Sequence, residues 1–372
     1  MPSADTFETG PIRPPSESGS YLLRLTRNCP WNRCEFCRTY KRHKFELREV
    51  EEIEADIDAM ARIRDRLLAR AADGRQVAVT TDHEWMVANA LSHGGTTAFL
   101  QDADSLVMKP DRVRQVLGHF RARFPEVERI TTYARSRTLA RLAVADLESY
   151  REYGLSRIHI GMETGHDPLL DIIRKGATAA LHIKGGRNVV AAGLELSEYL
   201  IPGLGGRELS EGHARDSARV LTEIDPHFIR LRSLTLGPKI PLWQVFHGEE
   251  ARLTRQTDVE IVAEIRRFVE ALGEVRSRLV SDHIMNLLGD LEGQLPGGRN
   301  DLLATCDRFL TLEPTEQHLY QLARRAGLVN GLDDLTDSGV RRRAEQLLAD
   351  ALRRHGPNGV DEACREMMLR MV

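Results

Sequence analysis

The chain has 372 residues, room for one large domain with an appendage or for two ordinary domains. Hydrophobic residues make up 41% and charged residues 29%, the composition of a globular protein, and the net charge of −3 gives no reason to expect nucleic acid or an anionic membrane as a partner. Its basic residues are 46 Arg and only six Lys, spread along the chain as coding bias would spread them rather than gathered into a binding patch.

In chain order, residues 1–19 are polar and rich in Pro and Ser, and read as a flexible arm with neither the basic start nor the apolar stretch of a signal peptide. From residue 20 to 246 strand-like and helix-like segments alternate. YLLRLTR (21–27) is a first strand. Leu47, Val50, Ile53, Ile57, Met60, Ile63 and Leu67 then recur at three- and four-residue steps, the mark of an amphipathic helix. Residues 73–95 form an insertion in which Asp82 caps a short helix ending at Gly94-Gly95. Later strands are TTAFL (96–100), RITTYA (129–134), RIHIGME (157–163), ELSEYLIPGLGG (195–206) and HFIRLRSLTL (227–236), with helical segments between them. This βα alternation with short connections implies a parallel sheet or barrel covered by helices. Six repeats are too few for the eight-stranded barrel and suit a partial (β/α)6 barrel of TIM type. After the junction HGEE (247–250), residues 247–372 carry helical period and form a mostly helical C-terminal extension. No apolar run is long enough to span a bilayer, so a membrane is not expected as partner.

Three of the five cysteines lie in NCPWNRCEFCRTY, spaced Cys29-x4-Cys34-x2-Cys37 directly after the first strand. A loop at the C-terminal end of a barrel strand is where such folds keep their chemistry. Five cysteines with three bunched make no disulfide framework, which points to a reducing cytoplasm and to metal binding. Clustered thiolates bind soft metals, either an iron–sulfur cluster or Zn²⁺. Three protein ligands on a four-iron cluster leave one iron open, whereas zinc needs a fourth ligand, for which His43 is the nearest candidate. On the residues alone both readings stay open, beside that of unliganded core thiols.

The stretch resembles the cluster loop of the radical S-adenosylmethionine (radical SAM) superfamily, Cys-x3-Cys-x2-Cys after the first barrel strand with an aromatic before the last Cys. Phe36 fills the aromatic position, and the first gap here is one residue longer than the commonest pattern. The resemblance implies a single [4Fe–4S] cluster on Cys29, Cys34 and Cys37, with S-adenosylmethionine (SAM) bound at the open iron. It implies reductive cleavage of SAM to methionine and a 5′-deoxyadenosyl radical that abstracts hydrogen from a substrate, the electron coming from a reductase or a flavodoxin- or ferredoxin-type donor. It covers roughly residues 20–240 and extends to other strand ends. FLQDADSL lacks the family's Gly-Gly-Glu-like turn but offers Asp102 and Asp104 for the methionine ammonium, the alternative being Asp capping of a turn. GMET resembles the family's Gly-x-Glu-Ser stretch, which assigns Glu163 to the ribose hydroxyls, the alternative being an ion pair with an interior Arg. YLIPGLGG matches the turn whose backbone approaches adenine, at Ile201 and Gly203, the alternative being tight strand–helix packing.

Other candidates come from the residues themselves. Arg230 and Arg232 share one strand face and need anions: Glu163, Glu198, the SAM carboxylate or an acidic group of the substrate. Arg24, Tyr133 and Arg135 are candidates to line the cavity, and His283 and Asn286 to reach its mouth. Cys306 and Cys364 are isolated at apolar helical positions, so no second cluster is expected, nor is an N-terminal cobalamin domain. The hallmark start of the oxygen-independent coproporphyrinogen oxidases is missing, so their substrate is not assigned. The sequence therefore reads as a cytoplasmic radical SAM enzyme acting on an anionic small-molecule or peptide substrate. The alternatives are a zinc-stabilised α/β binding protein without redox chemistry and a cluster-containing scaffold or electron carrier.

Overall fold

The computed structural model describes residues 5–73, 79–249 and 251–370. Parts of the expected arm (residues 1–4), insertion (74–78), junction (250) and C-terminal extension (371–372) lie outside the described residues. The strands are β1 (Tyr21–Arg24), β2 (Thr26–Arg27), β3 (Glu46–Leu47), β4 (Thr97–Gln101), β5 (Arg129–Tyr133), β6 (Leu155–Glu163), β7 (Glu195–Leu200), β8 (Phe228–Leu231), β9 (Arg278–Val280) and β10 (Glu292–Gln294). Eight of them form one sheet in the order β1-β4-β5-β6-β7-β8-β9-β10. Pairing is parallel for β1 with β4, β4 with β5, β5 with β6 and β8 with β9, and antiparallel for β9 with β10. This is the mostly parallel α/β sheet that the alternating pattern implies, with a helical C-terminal region. The sequence missed β9 and β10, because three-residue strands are too short to show a period.

The chain divides into two compact units built from interleaved segments: Met1–Asn32, Thr39–Gly161 and Lys184–Ser197 in the first, Arg33–Arg38, Met162–Ile183 and Glu198–Val372 in the second. The expected junction at 247–250 falls inside the second unit.

In the first unit the long helix Val50–Ala72 buries Val50, Ile53, Ile57, Met60, Ile63 and Leu67, the stripe its spacing dictates. Leu47 stands outside that stripe: it pairs with Thr26 in the β2–β3 ribbon and is 42% exposed. The helix Pro110–Arg123 starts with Pro at its first turn, where a missing N–H costs nothing, and buries Val113, Val116, Leu117 and Phe120. The insertion helix is Asp82–Ser92, but its cap is Thr81, whose hydroxyl accepts from the Glu84 N–H, and not Asp82.

Residues 5–19 are packed rather than free. Phe7 is buried with its ring edge-on to His83, and Glu17 is fully buried, taking Ser20 Oγ at 2.7 Å and Arg129 Nη2 at 3.2 Å. Glu8 pairs with Arg24 (2.8 Å) and Arg27 (2.6 Å). A polar, Pro-rich composition hid these few anchors. In the second unit the helices Pro314–Arg325, Ser338–His355 and Gly359–Arg370 share a small core of Leu322, Ala351, Val360, Ala363 and Cys364.

Candidate active site

Residues 28–40 leave the sheet after β1 and β2 as an irregular loop whose start and finish are tied locally. Asn28 and Asn32 both sit at positive φ, 70° and 48°, a region that Asn tolerates better than most residues. The Asn32 side-chain amide donates to the carbonyls of Tyr40 (2.5 Å) and His43 (3.1 Å), closing the loop on itself. Inside it, the Asn32 N–H donates to Cys29 Sγ at 3.4 Å, and the Cys37 N–H to the Cys34 carbonyl at 3.3 Å. None of the three cysteines is in a disulfide, and each is partly exposed. Partly exposed thiols with a backbone N–H aimed at one sulfur are the donor set an iron–sulfur cluster uses. Among the described residues, no three His, Cys, Asp or Glu side chains are grouped to hold a single metal ion. Within the second unit, Glu35 is pinned on both sides: its N–H donates to the Ile173 carbonyl and its carbonyl accepts from Leu242, each at 2.9 Å. Phe36 packs against the cluster that contains Leu169, Ile173 and Ile201, with Lys175 Nζ 5.5 Å from its ring centre. In the first unit Trp31 lies under the Arg135 guanidinium at 5.3 Å.

Asp102 and Asp104, expected to meet an ammonium, are both fully buried and engaged by the protein. Asp102 accepts from Arg24 Nε and Nη2 (2.9 and 2.7 Å), the Asn28 N–H (2.9 Å) and the Tyr40 hydroxyl (3.2 Å). Asp104 accepts from Thr138 Oγ1 (2.6 Å) and the Arg135 N–H (3.2 Å), while burial pushes its carboxyl up to about 6. These environments serve the fold, because four donors saturate one carboxylate and burial closes off the other.

Glu163 ends β6 at φ 67°, an uncommon conformation for a side chain of its size, and is nearly buried. Its partner is Lys175 (2.9 Å), one of only six lysines, and not an interior Arg. Close by, Glu198 on β7 is fully buried with both carboxylate oxygens lacking a hydrogen-bond partner among the described residues. Burial drives its carboxyl well above the usual glutamate range; Lys175 opposes this and Glu163 adds to it.

The turn after β7 is held by a buried polar network that sequence reading missed. His213 Nε2 donates to the Ile201 carbonyl (3.0 Å), which leaves Nδ1 to accept from the Thr164 hydroxyl (2.7 Å). Burial depresses the imidazole pKa, consistent with this neutral form. The Gly203 N–H donates to the buried Glu264 carboxylate at 2.7 Å, and the Ile201 N–H to the Glu163 carbonyl at 3.1 Å. Gly203 has φ 82°, which explains the glycine. The backbone groups at Ile201 and Gly203 are thus used by the protein: the Ile201 carbonyl also accepts from the Leu204 N–H (3.3 Å), and the Gly203 carbonyl, which takes the Gly206 N–H (3.3 Å), keeps one lone pair.

Arg230 and Arg232 meet neither Glu163 nor Glu198. Both pair with Asp282, which follows β9: Arg232 Nη1 lies 2.6 Å from its Oδ1 and Arg230 contacts Oδ2. Arg232 also lies over the Tyr199 ring at 4.4 Å. Asp282 gave no sequence signal because its strand was not recognised. His283 beside it is pushed down to about 4 by burial and by Arg232. Asn286 donates to the Leu231 carbonyl (3.1 Å) and so reaches the end of β8.

The radical SAM superfamily model matches residues 23–216, more than half of the chain and inclusive of all three clustered cysteines. The chain belongs to the radical SAM superfamily. Members are enzymes that use a [4Fe–4S] cluster and SAM. Among solved structures the radical SAM protein is similar to methylornithine synthase PylB, at 16% identity and TM-score 0.41, with 68% of this chain and 63% of that one covered. It is similar to the radical SAM methyltransferase TsrM from Kitasatospora setae, seen with cobalamin and a [4Fe–4S] cluster bound, at 12% identity and TM-score 0.45 over 89% of this chain and 61% of that one. It is also similar to the FeFe-hydrogenase maturase HydG from Carboxydothermus hydrogenoformans, at 13% identity and TM-score 0.40 over 94% and 81%. The chain spans less than two thirds of the length of PylB and of TsrM. No curated protein matches it. Among the described residues no helix is long and apolar enough to cross a membrane. Cys306 and Cys364 are buried, and burial raises both thiol pKa values, Cys306 to about 12.

Proposed function

We propose that this radical SAM protein is an enzyme in which Cys29, Cys34 and Cys37 hold the [4Fe–4S] cluster. The observation that carries this is the set of three partly exposed, non-disulfide thiols on one tied loop inside the span of the family match. When bound, the cluster would supply the electron for reductive cleavage of SAM and so the radical chemistry by which a small-molecule or peptide substrate loses hydrogen. A flavodoxin- or ferredoxin-type protein delivers that electron. The chain's own residues position and shield. Asn32 fixes the loop and directs its N–H at Cys29 Sγ, and Phe36 holds the loop's return against the apolar cluster around Ile173. Glu163, held by Lys175 at 2.9 Å, is the acceptor for ribose hydroxyls.

Anaerobic purification is the test. About four iron and four sulfide per chain are expected. SAM with a reductant should then yield 5′-deoxyadenosine, and Cys34→Ala should abolish both the iron and the product. Zinc without iron, or full cleavage in the variant, would overturn the reading.

A further inference from the structure

The second unit holds a cavity of about 320 Å³ whose wall includes Pro202, just after β7, and Arg232 to Leu234, just after β8. It therefore opens where α/β folds keep their ligands, at the carboxyl ends of parallel strands. Five arginines line it, and four of them are matched by carboxylates. Arg207 pairs with Glu260 (2.8 Å), Arg325 with Asp258 (2.6 Å) and Arg232 with Asp282 (2.6 Å), and Arg365 with Glu362. The side chain of the fifth, Arg255, makes no hydrogen bond or ion pair with any described residue, and neither does that of the one remaining acid in the wall, Asp361. Arg255 feels the acids Asp258, Glu362 and Asp361 without touching any of them, and Asp361 feels Arg365 and His318 in the same way. Burial and the neighbouring Arg365 lower the Arg255 pKa, and burial with Asp258 raises that of Asp361, so each half-buried charge is only partly offset by its neighbours. The same wall carries apolar side chains, among them Ile261, Ile265, Leu288 and Met368.

One cation and one anion that share the wall of a partly apolar cavity, neither holding a hydrogen-bond partner for its side chain, complement a ligand that carries the reverse pair. We propose that this cavity receives the head group of an α-amino acid or a similar small zwitterion as substrate, its carboxylate on Arg255 and its ammonium on Asp361. The inference rests on the enzymatic reading above, and replaces the Arg230–Arg232 pair, already neutralised by Asp282, as the seat of substrate charge.

Three probes of one shape separate the two ends: L-phenylalanine, 3-phenylpropionate with the acid alone, and 2-phenylethylamine with the amine alone. Calorimetric titration of the full chain should show L-phenylalanine binding about tenfold or more tighter than either half-probe. Arg255→Gln should erase its advantage over the amine, and Asp361→Asn its advantage over the acid, with melting temperatures reporting that both variants fold. Equal binding of all three probes, no binding of any, or displacement of L-phenylalanine by SAM would overturn the proposal. Iron content and SAM cleavage are measured separately, so loss of those with binding intact would sink the enzymatic reading and leave the cavity's zwitterion preference standing.

Discussion

Glu198 is the residue whose chemistry departs furthest from its sequence. Nothing in ELSEYL announces a carboxyl with no hydrogen-bond partner, because burial and neighbours are decided by the fold. Its folded pKa is raised above the ordinary 4.5, so the folded state holds its proton where the unfolded state releases it. The stability this contributes is complete below the unfolded value and is lost as pH rises from there through the raised folded value. Urea midpoints of the full chain should therefore fall across that window, and Glu198→Gln, neutral throughout, should flatten the slope. An identical slope in the variant would mean that Glu198 is ionised in the fold. The cysteines show the opposite case. Their spacing and place after the first strand were legible because metal chemistry needs nearby thiols. The partners of Arg230 and Glu163 were not, since Asp282 lies 52 residues from Arg230 and Lys175 lies 12 from Glu163 with no periodic link.

At the scale of elements, long periodic segments were legible and short ones were not. The stripe from Val50 to Leu67 survives into the structure because each side chain's face follows from geometry alone, whereas RIHIGME is buried through Ile158, His159 and Ile160 on both faces. Caps and three-residue strands depend on single contacts, which is why Thr81 and β9 were missed. The turn after β7 lies between these cases. Its glycines signalled a close approach, but the buried His213 and Glu264 that hold it lie 12 and 61 residues away from the groups they bind. Gly203→Ala places a side chain at φ 82° and a Cβ 3.0 Å from Ile261 Cδ1. The left-handed backbone should cost about 1–2 kcal/mol, read as a lower urea midpoint. An unchanged midpoint would show that the backbone there relaxes freely.

For the whole molecule, the interleaving of two units could not be read from composition, because residues 33–38 join the second unit through contacts such as Glu35 with Ile173 and Leu242. Composition also misjudged the amino-terminal segment. Removing residues 1–12 takes Phe7 out of its buried place and Glu8 away from Arg24 and Arg27, with Arg48 also within 3.5 Å. The loss of one buried Phe alone should cost about 2 kcal/mol, seen as a lower melting temperature. A truncated chain that melts like the full one would restore the picture of a loose arm. The Asp282 carboxylate, shared by two guanidinium groups, carries a consequence for descent. Loss of Asp282 removes the acceptor that both guanidinium groups share, while loss of either arginine leaves the acid half matched. Each single step from this trio runs downhill in stability, so lineages that abandon it must exchange Arg230, Arg232 and Asp282 as a set, and the three positions should covary across the descendants of this chain.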